Sequence, residues 1–285
     1  MSEAASLRDI ADPADRVRRA SALIDTLAAE TGEASGIRAA ALAEMQAAGL
    51  SQTEISRATG MTRARISQVM KAAPPPGQAL LAPDPGPVTI CVIEKREAER
   101  GRPAITSTTM AAAAKLADLA ASCGLDAATE TIPVSGQIDL NRPNLAVLIG
   151  PRSSFSLAQA ISADPVIKWQ PDGSGDWFIT DTRTGTEYHS EFDRSHAPAR
   201  GKPRTCYAHV GRVRRPDGEG SWLCLAGEHA PGVAGAAELF CRDTASLWEQ
   251  AHRSLWSAIA QVTVGDGGET KDVALITPVY VHGRR

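Results

Sequence analysis

Apolar and polar positions alternate along this chain with two different periods, and the change from one to the other divides it. Over the first seventy residues apolar side chains return every three or four places, the helical period. Asp12 before Pro13 is an N-cap followed by proline at the first helical position, and Val17, Ala20, Ile24 and Leu27 then fall on one face. A second helix is expected over 34–48, with Ile37, Ala41 and Met45 inward and Gly49 as its stop. The stretch LSQTEISRATGMTRARISQVM, residues 50–70, reads as two further short helices about Gly60. Ser51 with Glu54 makes a capping box for the first, and Thr62 N-caps the second. Ile55, Met61, Ile66 and Val69 take the apolar contact positions, Ser56 the small crossing position, and Gly60 the turn, where positive φ is needed. Together these predict a helix-turn-helix.

The helical period stops at AAPPPGQALLAPDPGPV, residues 72–88, with prolines at 74, 75, 76, 83, 85 and 87. Proline fixes φ and lacks the N–H, so the segment is expected to be a semi-rigid linker. Beyond it the pattern is mixed. VTICVIE (88–94) and NLAVLIG (144–150) are continuous apolar runs, and TMAAAAKLADLAAS (109–122) lies between them with helical spacing. Strand, helix, strand predicts a parallel pair with a crossover helix. A short helix near 154–162, a hairpin of DWFITDT with TEYHSEF, and a second hairpin of CYAHVGRVRR with SWLCLAGE follow. Helices over GVAGAAELFC and TASLWEQAHRS, then strands over SAIAQVTV and DVALITPVYV, close the chain. The fold class is thus α plus α/β: a helix-turn-helix bundle over 1–73, a Pro-rich linker over 74–87, and a Rossmann-like mixed-sheet α/β domain over 88–285.

Composition narrows the function. A chain of 285 residues suits two domains, since domains run about 100–200 residues. With 43% hydrophobic and 22% charged residues it is globular in character. The net charge of -3 supplies no global field for nucleic acid or an anionic membrane, so such binding must come from a local patch. Cys91, Cys123, Cys206, Cys224 and Cys241 lie far apart, without CxxC pairs or a histidine at zinc-ligand spacing, so no metal is expected. The absence of a long apolar run or signal peptide points to a soluble, cytoplasmic protein with no membrane partner.

The local patch is found at residues 50–73, where Arg57, Arg63, Arg65 and Lys71 stand against one acid, Glu54. With Ile66 and Val69 inward, helical geometry turns Arg63, Ala64, Ser67 and Gln68 toward base edges in the major groove. Arg63 suits a bidentate pair to guanine and Gln68 one to adenine, while Arg57, Thr62, Arg65 and Lys71 are placed for phosphates. AGLSQTEISRATGMTRARISQVM resembles the helix-turn-helix of sigma-70 region 4, whose recognition helix carries a T-R-E-R-I-R-Q pattern. Thr62, Arg63, Arg65, Ile66 and Gln68 match it, whereas Ala64 and Ser67 stand in place of Glu and Arg, which leaves the promoter element open. The resemblance covers residues 36–73 and does not extend to the sigma region that melts the -10 element. It is also similar to actinobacterial regulators that join such a module to an α/β domain. The resemblance implies double-stranded DNA as partner, with RNA polymerase as a further one.

In the C-terminal domain, apolar strands are closed by a pair of glycine turns. One holds Gly150, Arg152, Ser153 and Ser154; the other holds Gly227, His229, Gly232 and Gly235. Both precede helices, whose N-termini favour anions, and both would lie at the C-terminal ends of parallel strands. A phosphorylated or nucleotide-like effector is one expectation; glycines serving tight packing, with Arg152 in a surface salt bridge, are the other. The spacing is neither GxGxxG nor a P-loop, no nucleophile-base set is assembled, and neither a catalytic residue nor a cofactor is assigned. Glu228 and His229 at a strand end keep a nucleotide-acting enzyme as an alternative. The five tryptophans are expected in the core or at a dimer contact. The expected function is a sequence-specific DNA-binding transcriptional regulator with a C-terminal sensor or dimerisation domain. Homodimerisation follows from the short half-site that one helix-turn-helix covers. A polymerase-binding module is the third alternative.

Overall fold

The computed structural model describes residues 7, 10, 12–72, 75–96, 102–193, 202–252, 254–266 and 268–284. His196 and most of the 94–102 loop lie outside the described residues, as do the side chains of Ile37 and Lys71. The chain forms two compact units, Met1–Pro74 and Pro75–Arg285.

The first unit contains α1 (Pro13–Ala47), α2 (Gln52–Thr59) and α3 (Arg63–Ala72). Asp12 caps α1, its carboxylate accepting from the N–H of Ala14 at 3.1 Å and of Asp15 at 3.3 Å. The two helices expected over 13–48 are one. The interior glycines, Gly32 and Gly36, each cost only about 1 kcal/mol relative to alanine, too little to end the helix. The expected inward face is also displaced: Val17, Ile24 and Leu27 are exposed, and so is Ala41, while Ala39 and Leu42 are buried. Among the described residues, those of α1 that share a core with α2 and α3 are Ala39, Leu42 and Met45, near its C-terminal end. Ala39, Leu42, Ile55, Ile66 and Val69 form the core, with Met45, Leu50, Met61 and Met70 packed around it.

The turns between these helices are fixed locally. Ser51 Oγ accepts from the Glu54 N–H at 3.3 Å, and the Glu54 carboxylate accepts from the Ser51 N–H at 2.8 Å. Gly60 ends α2 with φ 72°, where a Cβ would be strained. Ser56 Oγ donates to the Met61 carbonyl at 2.6 Å, and Thr62 Oγ1 accepts from the Arg65 N–H at 3.2 Å at the start of α3.

In the second unit the expected linker is partly a helix, α4 (Pro76–Leu81). Pro75 and Pro76 stand before and at its first position, where a missing N–H breaks no helical bond. The apolar residues after them, Ala79 to Ala82, are buried in the core of the unit. Arg212, reaching from the sheet, donates to the carbonyls of Leu80 and Leu81 at the end of α4.

The sheet of this unit is mixed. Its strands are β1 (Val88–Ile93), β4 (Ala127–Ile132), β5 (Leu145–Ile149), β9 (Arg204–Arg214), β10 (Ser221–Gly227), β11 (Ser254–Val264), β12 (Thr270–Leu275) and β13 (Tyr280–Arg284). A two-stranded ribbon pairs β2 (Lys95–Arg96) with β3 (Pro103–Ala104), and a small antiparallel sheet holds β6 (Ile167–Pro171), β7 (Trp177–Asp181) and β8 (Thr186–Tyr188). The main order is β12-β11-β9-β10-β5-β1-β4, with β13 also beside β11. β4, β1, β5 and β10 run parallel; β9 reverses against β10, β11 against β9, and β12 and β13 against β11. The crossover from β1 to β4 is α5 (Ser107–Ser122).

Every residue of β5 is buried, as its unbroken apolar run requires when both faces are covered. One face carries α4, α5, α7 (Ala230–Arg242) and α8 (Thr244–Ala251) over Ile90, Leu148, Leu225 and Val262. The other carries α6 (Phe155–Ile161) and the small sheet over Cys91, Val147, Trp222 and Ile259. Trp169, Trp222, Trp248 and Trp256 are buried in these layers. None of the five cysteines is in a disulfide. Among the described residues no helix is long and apolar enough to cross a membrane.

Candidate functional site

Burying Ile66 and Val69 turns the rest of α3 outward. Arg63, Ala64, Arg65 and Gln68 are exposed, Ser67 is half-buried, and Arg57 is exposed on α2. Among the described residues, Arg57 and Arg63 make neither an ion pair nor a hydrogen bond. Arg65 does: its Nη1 donates to Gln68 Oε1 at 2.7 Å. The amide carbonyl of Gln68 is therefore engaged within the helix, and a bidentate pair from Gln68 would need Arg65 to release it. Thr62 has a capping task in addition to any phosphate contact. Glu54 is turned into the capping box, where the hydroxyl and N–H of Ser51 hold its carboxyl below the ordinary value. The single acid of this stretch is thereby kept at the start of α2, a turn away from Arg57.

A second group of polar residues lies at the C-terminal ends of β5 and β10. These strands are parallel neighbours with Ala226 opposite Ile149, so Gly150 and Gly227 close them side by side. A Cβ on Gly227 would stand 2.3 Å from the Val233 nitrogen, which is why the first turn of α7 can lie on the strand end only at glycine. A Cβ on Gly232 would stand 3.0 Å from the Tyr207 carbonyl oxygen, and one on Gly235 2.4 Å from Val262 Cγ2. Ser154 caps α6, accepting from the Leu157 N–H at 3.3 Å and donating to the Gly136 carbonyl at 3.2 Å. These four residues have packing or capping tasks. Ser153 belongs to the turn between β5 and α6, its N–H donating to the Gly150 carbonyl at 2.9 Å.

Arg152 and His229 are brought together, through a residue that the sequence did not single out. Asp193 Oδ1 accepts from Arg152 Nη2 at 2.6 Å and lies 2.9 Å from His229 Nε2. Asp176 Oδ1 meets the same guanidinium nitrogen at 2.7 Å. One guanidinium facing two carboxylates is neutralised, which removes the charge that an anion site at Arg152 would use. Beside it Glu228 is buried; its Oε2 accepts from the Tyr207 N–H at 2.9 Å, and its Oε1 has no partner among the described residues. Burial pushes the Glu228 carboxyl up to about 9, with the charge of Asp193 adding to it. Burial also lowers His229, against the pull of Asp193. At neutral pH the arrangement is a protonated carboxyl next to a neutral imidazole.

No family model, curated protein or solved structure matches the chain. The residues themselves must then carry the functional argument. Asp176 follows the β6–β7 turn and Asp193 follows β8, in no motif, and only folding brings them to Arg152. Among the described residues no group of three or more His, Cys, Asp or Glu side chains is placed to hold a metal ion.

Proposed function

We propose that this chain is a sequence-specific DNA-binding transcriptional regulator, in which α2 and α3 form a helix-turn-helix resembling sigma-70 region 4. The observation that carries the reading is the outward face of α3. The same geometry that buries Ile66 and Val69 leaves Arg63, Ala64 and Gln68 in solvent, with Arg57 and Arg63 unpaired among the described residues. Arg63 at the first position of the helix is where major-groove readers contact bases, and Arg57 is placed for backbone phosphate. The chain continues from this reader into a sensor or dimerisation domain that begins at Pro75, and a homodimer on two half-sites supplies the specificity that a single short helix lacks. Selection of duplexes from a random pool by the full chain tests this: an enriched motif lost in Arg63→Ala supports it, and no enrichment overturns it.

A second reading, an enzyme acting on a nucleotide, is favoured by one observation, the buried Glu228 beside His229 and Asp193. A carboxyl protonated at neutral pH is suited to general acid work. Turnover of a nucleotide abolished by Glu228→Gln would support that reading. A third, an RNA polymerase-binding module, would be supported by polymerase capture without affinity for DNA.

A further inference from the structure

Among the described residues the three most exposed large apolar side chains all lie on the N-terminal part of α1: Val17 at 65%, Ile24 at 64% and Leu27 at 50%. Single exposed apolar residues are ordinary on a protein surface, but a row of them on one face marks an interaction site. With the half-buried Ala20 they fall at 17, 20, 24 and 27, at intervals of three, four and three. These are the a and d positions of a heptad, with Val17 and Ile24 at a and Ala20 and Leu27 at d.

The width of this row says what kind of partner it suits. A helix that packs on a globular core shows an apolar stripe at least about 100° wide, whereas a strict a and d seam is narrower and suits a second helix of the same kind. The residue choice is equally specific. β-Branched side chains at a with leucine at d favour two parallel strands over three or four. The charged residues stay off the seam: Asp15, Arg18 and Arg19 take f, b and c. They pair within the helix, with Arg18 Nη2 at 3.5 Å from Asp15 Oδ1 and Arg19 Nε at 3.1 Å from Asp15 Oδ2. Arg16, at g, donates from Nη2 to the Ile10 carbonyl at 2.7 Å, and across a parallel pair it would meet the uncharged Ser21, so like charges are not opposed there. A membrane surface is a poorer partner. Over 12–27, Asp12, Asp15 and Asp25 balance Arg16, Arg18 and Arg19, and the stretch has no Trp, Tyr or Phe, whereas helices that lie on anionic membranes carry basic residues and bulky anchors.

We propose that residues 17–27 of α1 pair with the same segment of a second copy as a parallel, two-stranded coiled coil. The inference deepens the homodimer of the DNA reading, and its direction rests on that reading. A parallel pair puts the two helix-turn-helix modules, which follow α1, at the same end of the coil. An antiparallel pair centred near residue 22 would carry the two ends of α1 about 75 Å apart at a rise of about 1.5 Å per residue. Half-sites one DNA turn apart are separated by only about 34–36 Å. Two heptads make a short seam, so the dimer should dissociate on dilution.

Sedimentation equilibrium of the full chain over micromolar concentrations tests the pairing. The unaltered chain should show a monomer–dimer equilibrium, and the double variant Ile24→Glu, Leu27→Glu should be monomeric at the same concentrations. Both side chains are exposed in the single chain, so the variant should keep the urea transitions of the unaltered protein. Mild oxidation tests the direction. Val17→Cys should give a linked dimer that the unaltered chain, with its own five cysteines, does not give. A link that forms only when Val17→Cys is mixed with Leu27→Cys would show an antiparallel pair and overturn the parallel one. On a duplex with two half-sites the double variant should bind about tenfold more weakly or worse, with its affinity for one half-site unchanged. A double variant as dimeric as the unaltered chain would overturn the coil and leave a homodimer formed elsewhere. An unaltered chain that is monomeric throughout would overturn it as well, and binding of that monomer to phosphatidylglycerol vesicles would assign the face to a membrane. Failure of the DNA reading is seen separately, as Arg63→Ala leaving duplex binding unchanged while the dimer persists.

Discussion

Glu228 provides a quantitative test of the strand-end geometry. Its carboxyl is buried against Tyr207 and near Asp193, and is pushed from an ordinary 4.5 to about 9. The folded state therefore holds a proton that the unfolded chain releases between these two values. The resulting stability is fully present below about pH 4.5 and is lost as pH rises through about 9, at roughly 1.4 kcal/mol per pH unit within that window. Between pH 6 and 8 the group should cost the fold about 3 kcal/mol, which for a unit of this size lowers Tm by about 6–12 °C. Glu228→Gln removes the titration while keeping an acceptor for the Tyr207 N–H. Urea unfolding of both proteins at pH 6, 7 and 8 isolates the effect, because other titrating groups cancel in the difference. The stability of Glu228→Gln relative to the unaltered chain should rise by about 3 kcal/mol across that range. A difference that does not change with pH would refute the assignment of a protonated carboxyl at this site.

Other substitutions test the two units separately. Ile66→Ala empties a fully buried position in the small core of the first unit and should cost about 2–5 kcal/mol, read as loss of its helical signal at lower urea concentration. Ser51→Ala removes the acceptor for the Glu54 N–H and should cost about 1 kcal/mol in the same assay. Gly235→Ala places a Cβ 2.4 Å from Val262 Cγ2 and should destabilise the second unit by about 1–3 kcal/mol. Val262→Ala should relieve some of that loss, so the double substitution should cost less than the sum of the single ones.

The elements that follow local rules were legible from the residues. Val88–Ile93 and Leu145–Ile149 announce themselves as apolar runs because both faces of the sheet are covered there. β4 does not, since five of its six residues, Ala127 to Thr131, are exposed, and the strand shows no apolar pattern to read. The prolines at 75 and 76 suggest a linker, yet proline is permitted at a helix start, and burial of Leu80 and Leu81 decides the outcome. The stripe of Val17, Ile24 and Leu27 has helical spacing, but spacing does not say whether a partner covers it, and here these side chains are exposed. At the candidate sites the same distinction holds. Arg152 and His229 are found from their places after strands, while Asp176 and Asp193 come from loops that only the tertiary fold brings near.

The proposal that α3 reads DNA is tested most directly by titrating the full chain against its selected duplex by fluorescence anisotropy over a series of salt concentrations. Affinity should fall with salt along a log-log line. Arg57→Ala should reduce the slope by roughly 0.9 for each chain bound and weaken all sequences alike. Arg63→Ala should cost about 1–3 kcal/mol on the selected duplex and relax the preference at one base pair. Affinity that is independent of salt and sequence, or unchanged by both substitutions, would contradict the proposal.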